Sequence, residues 1–225
     1  PKRWNHINKY YNTIIFDEVS MMSDGEKNKL IERFPNHKLI FCGDLGYQLP
    51  PVDPKSTEFK IGELKEVQHK TNYRCKDKKL QKILTILRKL IRKEYKEPYY
   101  IPNIKDILIK CNFKIHKKDD IEYTNDDFII CKTNNRKDEF TEKYKELCKY
   151  YCTENTRDYS NGQIVIGEKP IGVKSEVRHA FTIHSVQGET AKHTLFIDME
   201  RINCLRMIYT ALSRAEYLNQ IVLIE

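Results

Sequence analysis

No apolar stretch in this sequence runs longer than about six residues, so neither a membrane-spanning helix nor a signal peptide is expected. The C-x-x-C spacing of zinc and redox motifs is also missing. Seven cysteines are scattered at 42, 75, 111, 131, 148, 152 and 204, and the helical spacing of Cys148 and Cys152 brings no further ligand with it. A zinc site is therefore not expected, and buried, reduced thiols point to an intracellular compartment, cytoplasmic or nuclear. Internal repeats and low-complexity linkers are absent too. The 225 residues suit one large or two modest α/β domains. Forty Lys and Arg face 32 Asp and Glu, giving a formal charge of +8. Such a balance favours a polyanionic partner, although a solvated lysine-rich surface would have the same composition.

What is present begins with Thr13-Ile14-Ile15-Phe16-Asp17-Glu18. The β-branched and aromatic run reads as a buried parallel strand, with Asp17 and Glu18 at its carboxyl end, where open α/β sheets bind ligands. Lys38 to Cys42 repeats the pattern, followed by Gly43, Asp44, Gln48 and the rigid Pro50-Pro51 pair. Paired carboxylates there suit a nucleotide hydrolase, one for Mg2+ and one for the attacking water.

Elsewhere, Ser23 to Phe34 reads as a helix opened by a capping box of Ser23 and Glu26. Lys78 to Tyr95 reads as a second, with Leu80, Ile83, Leu84, Leu87 and Ile91 on one face and a solvated basic face opposite. Ile104 to Ile109 suits a short helix and Phe113 to His116 a strand. Phe128 to Cys131 reads as a buried strand, Arg136 to Tyr151 as a helix, and residues 153 to 178 as one or two hairpins. Val177 to Ile183 reads as a strand and Cys204 to Ala215 as a helix.

These segments resemble superfamily 1 helicases. Asp17-Glu18-Val19-Ser20-Met21 looks like motif II, the Walker B box, and Gly43-Asp44 with Gln48-Leu49-Pro50-Pro51-Val52 looks like motif III of the RecD and Pif1 branch. Thr71-Asn72-Tyr73-Arg74 is similar to motif IV, Phe181 to Thr190 to motif V, and Tyr209 to Ala215 to motif VI. The order and spacing match over nearly the whole chain. Between Asp44 and Gln48 stand three residues where the family usually has two, which predicts a bulge at Gly46.

The resemblance implies a RecA-like P-loop NTPase helicase core with parallel sheets flanked by helices. Residues 1–70 would be the rear part of a first RecA-like domain, and 71–225 a second with a short β-rich insertion near 153–178. It implies ATP and Mg2+ as cofactors, with Asp17 on the metal, Glu18 polarising water and Gln48 sensing the γ-phosphate. Arg74 and Arg214 would neutralise charge, Arg214 reaching out from its helix end across the domain cleft, and Asp44 and Gly188 would complete the nucleotide contacts. Thr182, His184 and Gln187, with Thr133 and Asn134, would hold backbone of single-stranded nucleic acid, DNA in preference to RNA. An N-cap role for Asn134 or Asn135 is the competing expectation. Other replication or repair proteins are expected partners, and a membrane is not. Composition suggests a large DNA virus.

No G-x-x-x-x-G-K-[ST] phosphate loop occurs in the sequence. Gly167 to Ser175 comes near, but Val173 precedes the lysine and Pro170 removes a backbone N–H from a loop that must offer such groups to phosphate. With Pro1 in place of an initiator Met, the expectation is a fragment whose phosphate loop lies upstream. Two further readings stay open: an inactive helicase half that grips nucleic acid or docks a partner, and the motor part of a relaxase or nuclease fusion.

Overall fold

The computed structural model describes residues 10–53, 55–69, 72–96, 103–147, 149–159 and 163–225. Pro1, Thr71, Cys148 and Gly162 lie outside them. The chain divides into two compact units, Pro1–Thr71 and Asn72–Glu225.

In the first unit, strand β1 (Thr13–Phe16) pairs in parallel with β2 (Lys38–Phe41), and helix α1 (Asp24–Arg33) connects them. The expected capping box is present: Ser23 Oγ accepts from Glu26 N at 3.2 Å while Ser23 N donates to Glu26 Oε2 at 2.8 Å. Phe16 stacks on Phe41 at 5.2 Å, and Phe41 meets Phe59 at 5.3 Å. Contrary to expectation, strand β1 is not buried. Its residues alternate between exposed and half-exposed, with Ile15 64% exposed, so the strand is parallel as expected but not enclosed.

The second unit is built on a five-stranded, wholly parallel sheet. Its order is β3 (Ile115–His116), β10 (Ile221–Ile224), β9 (Leu195–Asp198), β4 (Phe128–Cys131) and β8 (Ala180–Thr182). Helix α2 (Lys78–Lys96) buries the five expected apolar residues and packs on α5 (Leu205–Leu212). Its Arg88 is not merely solvated: Nε donates to Tyr209 Oη at 2.9 Å. Helix α3 (Ile104–Lys110) precedes β3, and α4 (Asn134–Lys143) follows β4. Among the described residues no helix is long and apolar enough to cross a membrane.

Two expected elements divide. Helix α4 stops at Lys143, and Lys149–Cys152 forms strand β5, because adjacent tyrosines favour an extended backbone and antiparallel partners are at hand in β6 (Ile164–Ile166) and β7 (Ser175–Val177). The strand expected over 177–183 is likewise two, β7 in this small sheet and β8 in the large one. At their junction His179 is 2% exposed, near the buried Lys149, whose Nζ donates to Asp127 O. The Gly167–Ser175 segment joins β6 to β7, a strand-to-strand link, whereas a phosphate loop runs from strand to helix.

Burial, then the nearby Lys149 cation, pushes the His179 imidazole down from 6.5 to about 4. The fold holds it neutral, so its contribution is complete above the unfolded value and is lost as pH falls from 6.5 towards 4. Urea unfolding should therefore show a loss of about 1–3 kcal/mol across that window, and His179→Leu should flatten it. Parallel pH profiles for the two proteins would contradict this.

Candidate nucleotide and nucleic-acid sites

Asp17 and Glu18 sit at the carboxyl end of β1. Asp17 is exposed, and its Oδ1 accepts from Glu18 N at 2.9 Å. Glu18 has φ 52 and ψ 40, the left-handed region that a non-glycine residue enters only when its surroundings compel it. Here two bonds compel it. Cys42 N donates to Phe16 O at 2.7 Å, and Val19 N, one residue past Glu18, donates to Cys42 O at 3.0 Å. The chain must turn sharply between those bonds, and Glu18 is the turn.

Gly43 permits the turn. A Cβ there would lie 2.9 Å from Val19 N, so only hydrogen lets the two strand exits close on one another. Beyond it, Gln48 N donates to Asp44 O at 3.2 Å and closes residues 44–48 as one turn. Gly46, within this turn, is exposed and has no left-handed φ. Leu49, 2% exposed, anchors the segment before Pro50-Pro51.

In the second unit, Cys131 pairs with Thr182 in register, and Ile183 N donates to Cys131 O at 3.0 Å, so the exits of β4 and β8 share one edge of the sheet. Thr133 and Thr182 are brought together there. Thr133 is the N-cap of α4, its hydroxyl accepting from Arg136 N at 3.3 Å, while Asn134 is exposed in the first turn. The cap thus falls one residue before the asparagines expected to supply it. Thr182 Oγ1 accepts from Ser185 N at 3.3 Å and opens the loop bearing His184, Gln187 and Gly188. Burial holds the half-exposed His184 imidazole below its ordinary pKa, which favours the neutral ring.

Two guanidinium groups grip that loop. Arg74 donates through Nη2 to Gly188 O at 3.1 Å and through Nη1 to Ser213 O at 3.4 Å. Arg214 is 0% exposed, and its Nη1 reaches Val186 O at 3.4 Å and Glu189 O at 3.3 Å. Its Nε donates to Thr210 O at 3.0 Å and its Nη2 to Ser213 Oγ at 2.9 Å. Arg214 therefore does not extend from a helix end; α5 ends at Leu212, and the arginine turns inward onto carbonyls of the helix terminus and of the loop. Gly188, at φ 92, gives the loop its reversal.

Two features escaped sequence reading. Arg136 is 7% exposed and bonds Asp198, itself 0% exposed, at 2.9 Å, with Glu139 and Glu200 alongside. Asp198 ends an apolar strand just as Asp17 does, so that signal was visible and ambiguous. Tyr73 is 84% exposed, held out by a turn in which Asn72 Oδ1 accepts from Arg74 N and Cys75 N. An exposed tyrosine beside an arginine could have been noticed inside the Asn72-Tyr73-Arg74 triplet.

No family model matches the chain, and no curated protein matches it. Solved structures do. The crystal structure of Pif1 helicase from Candida albicans matches 100% of this chain and 74% of its own, with a TM-score of 0.70 at 17% identity. That of Pif1 helicase from Bacteroides in complex with ADP-AlF3 and ssDNA matches 97% and 71%, again with a TM-score of 0.70 at 17% identity. The fold is that of the Pif1 helicases. In this Pif1-type α/β fold, the five sequence boxes fall at strand exits and on the Arg74 and Arg214 clamp.

The approach at Gly43 gives a direct test. Gly43→Ala should destabilise the first unit by about 1–3 kcal/mol, because a backbone nitrogen cannot yield as a flexible side chain would. Ala introduced at the open Gly46 should change the urea midpoint little, and equal losses at both positions would refute the packing described.

Proposed function

We propose that the chain is the motor core of a superfamily 1 helicase of Pif1 type, coupling ATP hydrolysis with Mg2+ to movement along single-stranded nucleic acid and to unwinding. The observation that carries this is the Asp17-Glu18 pair at the exit of a parallel strand, with Glu18 held left-handed by the β2 exit. Among the described residues no cluster of three or more His, Cys, Asp or Glu could hold a metal alone. Mg2+ keeps its waters and is held by one or two carboxylates together with substrate phosphates, and Asp17 stands exposed at the strand exit. Asp17 is the carboxylate for it, and the ion when bound would neutralise phosphate charge.

Glu18 orients and polarises the attacking water, and the amide of Gln48 reports on the terminal phosphate, its turn tied to Asp44. Arg74 and Arg214 are assigned to γ-phosphate charge, with the half-buried Arg74 the more accessible. Arg214 reaches phosphate only by exchanging the carbonyls it now holds, which loosens residues 186–189. Because that loop carries Gln187 and adjoins His184 and Thr182, nucleotide state would pass to the grip on the strand. Tyr73 offers a ring for stacking on a base.

In an ATPase assay of the full-length protein, Glu18→Gln should cut turnover about 100-fold or more while single-strand affinity stays within a few-fold. His184→Ala and Gln187→Ala should weaken binding about equally on two unrelated oligonucleotides, since backbone contacts carry no sequence information. Turnover surviving in Glu18→Gln would remove the proposed mechanism. The missing G-x-x-x-x-G-K-[ST] motif favours a second reading, a strand-binding half without turnover, which the same assay identifies by binding without hydrolysis.

A further inference from the structure

Helix α2 has an exposed cationic stripe that the motor reading does not use. Lys78, Lys82, Lys89 and Lys93 are all exposed and recur at helical spacing, so they lie within about 60° of one another on one face, over about 22 Å of axis. Lys79 and Arg92, also exposed, flank them. The one acid of the helix, Glu94, is half-buried and off the stripe, its carboxyl raised by burial and drawn back by Arg206.

This arrangement works against the helix that bears it. Lys78 and Lys79 occupy a first turn with no acidic residue, where the macrodipole disfavours cations, relieved by Asp77, whose Oδ1 accepts from Lys79 N at 2.6 Å and from Leu80 N at 3.2 Å. Lys78 and Lys82 are like-charged neighbours four residues apart, a destabilising pair. The opposite face holds the helix in place, with Leu80, Leu84, Leu87 and Ile91 at 3% exposure or less. A row of anions along the stripe would relieve the repulsion.

We propose that this stripe docks the phosphate backbone of duplex nucleic acid, a contact additional to the single-strand grip of the proposed function. The occupant follows from charge and from what the face lacks. Single-strand sites interleave cations with aromatic platforms for bases, and no described residue on this face is aromatic. A straight helix bearing compact, hydrated lysine charges matches a stiff double-stranded backbone, bound without regard to sequence.

The test compares the full-length protein with a Lys78→Gln, Lys82→Gln, Lys89→Gln, Lys93→Gln variant, by anisotropy on a duplex and on a single strand of equal length over a salt series. Duplex affinity should fall about tenfold or more, and the slope of log affinity against log salt should flatten by about 2–4, reflecting the lost phosphate contacts. Single-strand affinity should stay within about threefold, and the melting midpoint should hold or rise as repulsion is removed. The two half-variants, at 78/82 and at 89/93, should each give part of the loss. Unchanged duplex affinity and slope, or equal losses on both probes, would overturn the proposal. So would stripe-dependent binding of polyglutamate without binding of duplex, which would assign the face to an acidic protein. Failure of the unaltered protein to bind single strands, with stripe-dependent duplex binding intact, would instead count against the motor reading alone.

Discussion

A fully buried guanidinium holds the carboxyl edge of the second unit together. Arg214 donates to three backbone carbonyls and one hydroxyl, from Thr210, Ser213, Val186 and Glu189. Its guanidinium adds to bonds already made there, since Val186 O also accepts from Glu189 N at 3.0 Å and Thr210 O from Ser213 Oγ at 2.8 Å. Arg74 grips the same loop at Gly188 from its more exposed side. The loop that carries Gln187 is thus held by two charges in addition to its own backbone turns, in which Val186 N donates to Thr182 O, Gln187 N to His184 O and Glu189 N to Val186 O.

The same constraint connects chemistry to fold. Arginine suits this position because its planar, permanently charged fork meets several acceptors at once, which a lysine cannot do. Those acceptors are also weaker partners than phosphate oxygens would be, since hydrogen bonds between ionised groups are shorter and stronger. A loop held this way is stable at rest and open to exchange. In the first unit the corresponding device is backbone-made: the tie between Val19 and Cys42, allowed by Gly43, sets Glu18 in its left-handed turn.

Much of this was legible in the sequence because local rules and global fold agree. The capping box at Ser23, the apolar face of α2 and the strand at Phe128–Cys131 each follow from spacing alone. Errors arose where tertiary context decided. Lys149–Cys152 continues a helical pattern but is drawn into a strand by two partners distant in sequence, and 177–183 is divided by a choice between two sheets. Asp17 and Asp198 illustrate the limit for sites. Both stand at the end of an apolar strand, yet one is exposed and the other is buried against Arg136, and the partner 62 residues away in sequence distinguishes them. Arg214 was found by its motif, but its inward direction depends on carbonyls of a loop that no local pattern places beside it.

We propose that the arginine-clamped loop is where single-stranded nucleic acid is held. Amide hydrogen exchange over residues 183–190 measures this directly, with and without a saturating single-stranded oligonucleotide. Binding should add protection at 184–188, and Arg74→Ala should diminish it. Oligonucleotide binding established by anisotropy, with exchange in this loop unchanged, would contradict it.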